Sequence, residues 1–225
     1  PERVVVVGAG YIGMELSTVL AKLGVEVTVV EMLEDVMPGY ESDLTRPVRR
    51  RASEIGIDLH FGEAAHSWAD ADDGIVVRTE DEDGEIAEYP ADATIVAVGR
   101  TPVTDTVNLD AIGLEPDENG FLSTDEQART DRAHVFAIGD VAGEPMLAHK
   151  ASREGLVAAE VIAGEDTTLD YRAVPAAAFT DPEIATVGMS ESEAVEAGLD
   201  PVVGEFPFQA GGRAPTTGRT EGFVR

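Results

Sequence analysis

Gly8, Gly10 and Gly13 stand in the spacing G-x-G-x-x-G, with Ala9, Tyr11 and Ile12 between them, and an acid, Glu31, follows further along. Glycines so placed let backbone approach a ligand. The first permits a tight turn, the second leaves no side chain in the way, and the third lets a helix lie close to a strand. The helix N-terminus then offers N–H groups and partial positive charge to linked phosphates. A carboxylate about twenty residues past such glycines can accept from a ribose 2′-OH and would repel a 2′-phosphate. The chemistry is the holding of a dinucleotide, NAD rather than NADP. The glycine spacing alone also fits an ordinary glycine-rich turn. The apolar run before it, the helical pattern after it and the acid together favour the nucleotide.

Other residues offer less. Gly99 ends an apolar run and would lie at the carboxyl edge of parallel strands, where ligands bind. A plain strand-ending glycine reads the same way. Asp140 follows Gly139 at the end of another apolar run and, taken alone, could merely cap a turn. There is no cysteine, which excludes disulfides and cysteine-type zinc sites. His60, His66 and His134 have no partner spacing that suggests a metal or a triad. Asp70 and Asp72 fit a calcium loop, but Gly74 falls one position early and no bidentate acid is correctly placed. No catalytic residue and no metal ligand is assigned.

These residues need elements to position them. Val4 to Val7 reads as a strand buried on both faces. Tyr11 to Leu23 reads as a helix stopped at Gly24, and Val27 to Val30 as a second strand. Asp43 to Ile55 has an amphipathic helical pattern, and Ile57 to Phe61 is a third strand. Ala65–Ala69, Ile75–Thr79 and Glu85–Tyr89 read as three short strands, with DADDG and EDEDG as hairpin turns. Ala93 to Val98 reads as another buried strand. Phe121–Gln127 and Val135–Ile138 look like short strands, and His149–Ile162 like a helix. Further on, short strands flank a Pro182 turn. Ser190 with Glu193 forms a capping box for a short helix, and Val202–Phe208 reads as a strand.

The bulk numbers bound the class. The 225 residues are 43% hydrophobic, with 44 acids against 16 bases and a net charge of −28. No apolar run is long enough to span a membrane, and the charge disfavours nucleic acid as a partner. Acids spread along the whole chain suit a cytosol rich in salt. Near 1 M salt the Debye length is about 3 Å and self-repulsion is screened. The chain starts without methionine and ends on an incipient strand, Gly222 to Arg225, so part of a longer protein is expected.

Several stretches together resemble the flavoprotein disulfide reductases, and within them the lipoamide dehydrogenase branch. They are GAGYIGMELSTVLAKLGVEVTVVE, AVGRTP, HVFAIGDVAGEPMLAHKASREG and PAAAFTDPEIATVGMSESEA, with weaker support from FPFQAGGRAPTTGRTEGFVR. The resemblance implies an α/β fold. Residues 1–102 would be a Rossmann-type NAD-binding domain with an inserted three-stranded β-meander. Residues 103–170 would be the returning half of an FAD-binding domain, and 171–225 the first part of an α+β dimerisation domain.

The resemblance also implies site residues. Asp140 would bond the ribitol and pyrophosphate region of FAD, and backbone at Met146, Leu147, Ala148 and His149 would lie by the flavin. Glu15 would sit beside the nicotinamide end of NAD. Tyr11 matches a position that can cover the flavin, and Ala64 one on the adenine side. The family passes electrons between dihydrolipoamide, a cysteine pair, flavin and NAD, helped by a His–Glu pair from the partner subunit of a homodimer. The cysteines, a first G-x-G-x-x-G and that His–Glu pair are all missing here. The expectation is a fragment whose parent oxidises a lipoyl-bearing acyltransferase or lipoyl protein in the cytoplasm. The chain by itself would be inactive. A mercuric reductase, soluble transhydrogenase or NADH peroxidase relative, or a stand-alone NAD-binding module, are the alternatives.

Overall fold

The computed structural model describes residues 1–225. The first elements are β1 (Arg3–Val7), α1 (Tyr11–Lys22), β2 (Glu26–Glu31), α2 (Ser42–Glu54) and β3 (Asp58–Phe61). Then come β4 (Ala64–Ala71), β5 (Gly74–Glu80), β6 (Ile86–Ala91) and β7 (Ala93–Val96). Later elements are α3 (Ala148–Ile162), β8 (Ala176–Ala178), β9 (Ile184–Thr186), α4 (Glu191–Glu196), β10 (Phe206–Pro207), α5 (Arg213–Thr217) and β11 (Phe223–Val224). The chain divides into two compact units, residues 1–99 with 177–225, and residues 100–176.

In the first unit, β3, β2, β1 and β7 form a parallel sheet in that order. The period-two alternation of a strand sorts its valines. Val4, Val6, Val27 and Val29 pack with Met14 of α1 and with Val48 and Ala52 of α2. Val5 and Val30 point to the other face and pack with Val77 and Ala91 of the antiparallel meander β4–β5–β6. Both faces of β1 are therefore covered, as its unbroken valine run demands. Each fully buried valine contributes about 1.5–3 kcal/mol, so the strand that carries the glycine turn is firmly held. Gly24, at φ +89°, turns the chain out of α1 in the left-handed region.

β1 has β2 on one side and β7 on the other. Strand order thus reverses at β1, and the crevice for a ligand lies outside its carboxyl end. The acidic turns are hairpin turns: Ala71 pairs with Gly74 across Asp72 and Asp73, and Asp81 accepts from the Asp83 and Glu85 amides. The capping box at α4 is present, with Ser190 and Glu193 satisfying each other's backbone.

Four expected strands differ. β7 stops at Val96, and both Val96 and Val98 are exposed, because β7 pairs only with β1 and lies at the sheet edge. Val202–Phe208 shrinks to Phe206–Pro207, paired with β11, since Pro201 and Gly204 interrupt the segment before Phe206. Phe121–Gln127 and Val135–Ile138 form no sheet beyond a single bridge between Arg129 and Phe136. Local bonds win there. Asp117 accepts from the Asn119 and Phe121 amides, and Asp125 from the Gln127 and Arg129 amides. Short acids of this kind offer backbone an alternative to a ladder.

Candidate nucleotide-binding site

The turn from β1 to α1 has the geometry its glycines foretell. Gly8 lies at φ +101°, and a Cβ on it would come within 2.6 Å of the Ala97 carbonyl oxygen. Its amide donates to the Val30 carbonyl at 2.9 Å. A Cβ on Gly13 would overlap the Gly8 carbonyl oxygen, so helix and turn touch backbone to backbone. Gly10 is different. It is the N-cap of α1 in extended conformation, and a Cβ on it would meet nothing within 4 Å. Open space in front of bare backbone is what a linked pair of phosphates needs. No side chain caps α1 and no acid stands in its first turn, so nothing of the protein's own competes for an anion.

Glu31 is at the tip of β2 and only 7% exposed. Its Oε2 accepts from the Ala9 amide at 2.7 Å, and its Oε1 from the Leu33 amide at 2.9 Å. A carboxylate has about four acceptor positions, so capacity remains for a sugar diol. Ala9 is fully buried and can offer only its backbone. Tyr11 is half-buried against the first unit's core, as are Leu20 and Tyr40, and Ile12 is also partly covered. Ala64 opens β4, exposed, directly after Glu63, whose amide donates to the Glu31 carbonyl at 3.1 Å. The sheet edge thus gathers Gly8 to Gly13, Glu31 and Ala64. Glu15, partly buried on α1, accepts from the Phe179 amide at 2.7 Å. Gly99 is exposed at φ +133°, a conformation that requires glycine.

A polar cluster beside Glu31 escaped the sequence reading. Glu63 accepts from the Thr79 hydroxyl at 2.5 Å and from the Tyr89 hydroxyl at 2.7 Å. Burial, and then the Glu63 carboxylate, push the Tyr89 phenol well above its ordinary value. His60 packs its ring, tilted by 59°, against Tyr89 with centroids 4.8 Å apart and bonds Asp58 at 2.9 Å. Alternation along β5 and β6 shows that Thr79 and Tyr89 face inward, but nothing in the spacing says that an acid waits for them.

The second unit holds the other residues. Asp140 lies in a 3-10 turn, Gly139–Ala142, with its side chain about half exposed. Arg100 donates from Nη1 to Asp140 at 3.1 Å and from Nη2 to the Met146 carbonyl at 2.7 Å. One guanidinium, 40 residues from Asp140 in sequence, so ties Asp140 to the Met146 backbone. Leu147 is the N-cap of α3, again without a side-chain cap or an acid in the first turn. Ala148 and His149 start that helix exposed. His149 donates from Nε2 to the Pro175 carbonyl at 2.7 Å, which fixes its tautomer. An acid beside an uncapped helix start suits a ligand that offers both hydroxyls and phosphates. Arg100, Lys150 and Glu154 were not singled out by sequence. The i,i+4 spacing of the last two, among small residues, was the available signal.

The sequence matches the pyridine nucleotide-disulphide oxidoreductase profile over residues 1–155 and that family's dimerisation domain over residues 174–225. The chain belongs to this family. It is 67% identical to a dihydrolipoyl dehydrogenase of Halobacterium salinarum and 63% identical to one of Haloferax volcanii. Both likenesses span all of this chain but only 47% and 48% of the relatives. The chain thus covers about half the length of the curated relatives it matches. Among solved structures, LpdA of Mycobacterium tuberculosis superposes with a TM-score of 0.89 at 28% identity, over 99% of this chain and 48% of that one. The flavoprotein disulfide reductase RclA of Escherichia coli superposes with a TM-score of 0.88 at 26% identity, over 99% of this chain and 51% of that one. No helix is long and apolar enough to cross a membrane.

Proposed function

We propose that the chain is the nucleotide-binding centre of a dihydrolipoyl dehydrogenase. Such an enzyme oxidises dihydrolipoamide carried on an acyltransferase or lipoyl protein, and FAD relays the electron pair from a dithiol to NAD+. Residues 1–102 are then the NAD domain, 103–170 half of the FAD domain, and 171–225 the start of the interface of a homodimer. Backbone from Gly8 to Gly13 holds the NAD pyrophosphate and Ala64 borders the adenine. Glu15, Tyr11 and Gly99 belong to the nicotinamide end. Asp140 and the segment Met146–His149 serve FAD. With no cysteine in the chain, it supplies no dithiol and turns over no lipoamide by itself. A net charge of −28, together with relatives from Halobacterium and Haloferax, supports work in a salt-rich cytoplasm.

The observation that carries this reading is Glu31, held by two amides beside the open space at Gly10. Calorimetry with NADH and NADPH tests it. The protein should bind NADH the more tightly, because Glu31 attracts the 2′-hydroxyl and repels a phosphate in its place. Glu31→Ala should weaken NADH about tenfold or more, the worth of a charged hydrogen bond, and NADPH by less, since loss of the contacts to the Ala9 and Leu33 amides touches both. Equal losses for both would remove Glu31 from the ribose.

A further inference from the structure

Glu154 and Lys150 are charged yet buried, 3% and 5% exposed, and the nucleotide reading uses neither. They lie one turn apart on α3, Nζ to Oε1 at 3.0 Å. Apolar residues of similar volume often replace such a pair without loss of stability, because desolvation offsets the attraction. Stability alone therefore does not account for the pair.

Its other contacts do. Glu154 Oε2 accepts from the Gly139 amide at 2.6 Å. Lys150 Nζ donates to the Gly139 carbonyl at 3.3 Å and to the Gly143 carbonyl at 2.9 Å. The pair takes up both backbone groups of Gly139 and the carbonyl that closes the turn. No sheet does this work, since Val135–Ile138 leads into the turn with one bridge at Phe136. Gly139 sits at φ +75°, and a Cβ on it would come within 3.0 Å of the Ala151 methyl on α3. The Tyr171 hydroxyl, 3.4 Å from Glu154 Oε1, closes the network.

We infer that Glu154 and Lys150 are positioning residues for the FAD subsite at Asp140. They fix the Gly139–Ala142 turn from beneath, so the Asp140 carboxylate and its neighbouring amides stand in place before the cofactor arrives. Ordering done in advance is not charged against binding. The inference rests on the reading that Asp140 meets FAD.

The test uses the full-length enzyme carrying this chain, stripped of flavin and titrated with FAD by fluorescence, with the melting temperature followed separately. If the unaltered enzyme binds no FAD, the flavin reading itself falls. If it binds, Lys150→Met combined with Glu154→Leu should still fold, with a flavin-free melting temperature lowered by several degrees for the Gly139 and Gly143 backbone groups left unpaired. The same variant should lose about tenfold or more in FAD affinity. FAD binding undiminished in that variant overturns the inference. Should the double variant fail to fold, the single variants decide. Glu154→Gln keeps an acceptor for the Gly139 amide and should bind FAD with the native visible spectrum. Glu154→Leu should lose about tenfold. Equal affinities in the two overturn the inference.

Discussion

The turns at Gly8 and Gly139 both follow an apolar run and both precede a helix, yet they are supported in opposite ways. The first hangs from the middle of a parallel sheet, where Val4 to Val6 are buried on both sides and each strand partner is in the same unit. Its shape comes from main chain meeting main chain, Gly8 against Ala97 and Gly13 against Gly8. The second has no ladder beneath it and is braced by the buried charges of Lys150 and Glu154. Sheet support is generic and tolerates change in polar side chains. Side-chain support is specific and fails when two residues change.

Salt removal should have the largest effect and should not distinguish the two. The 44 acids are spread along the chain, so unscreened repulsion acts on both regions once the Debye length grows from about 3 Å at 1 M salt to about 30 Å at 0.01 M. Circular dichroism on dialysis should show structure lost from the whole molecule. Protection from hydrogen exchange that persists in one turn would show that the two supports differ in their need for salt.

Gly13→Val comes next. Backbone cannot yield to the new side chain, and overpacking of this kind costs about 1–3 kcal/mol or more, read from a denaturant midpoint. Gly10→Val should do the reverse. Its space is open, so stability should shift by no more than about 1 kcal/mol, the range of an N-cap change, while NADH binding by calorimetry is lost. Normal NADH binding by that variant would place the phosphates elsewhere. The two glycines, three residues apart, separate packing from ligand room.

The smallest effect concerns the clasp that joins β1 to the end of the meander. Backbone bonds from Arg3 and Glu2, and then the Arg3 side chain, hold the Asp92 carboxyl down to about 2. The folded value lies below the unfolded one, near about 3.9. Its contribution to stability is therefore whole above about pH 4 and is lost as pH falls toward 2. Asp92→Asn should lower the melting temperature slightly at pH 7 and flatten its decline between pH 4 and 2.

The same contrast explains what the sequence disclosed. The segment Arg3 to Glu31 was legible because valine runs, glycine spacing and helix periodicity are local and agree with one another. The Val135–Ile138 segment was misread because its backbone bonds, from the Thr130 amide to the Val135 carbonyl and from the Ala137 amide to the Ala128 carbonyl, add up to a single bridge and not to a ladder. Lys150 and Glu154 were passed over because charges on a helix are normally solvated, and only packing shows that Gly139 waits above them. Arg100 was invisible as a link, since the chain between it and Asp140 gives no hint that the two meet.

Glu31 doubles as a strut. Because its two oxygens tie the loop at Ala9 to the loop at Leu33, exchanging it for a basic or neutral residue to change coenzyme preference would also leave two amides unmatched. A designer would have to rebuild both loops together, which makes selectivity at this corner a property of the scaffold and not of one side chain.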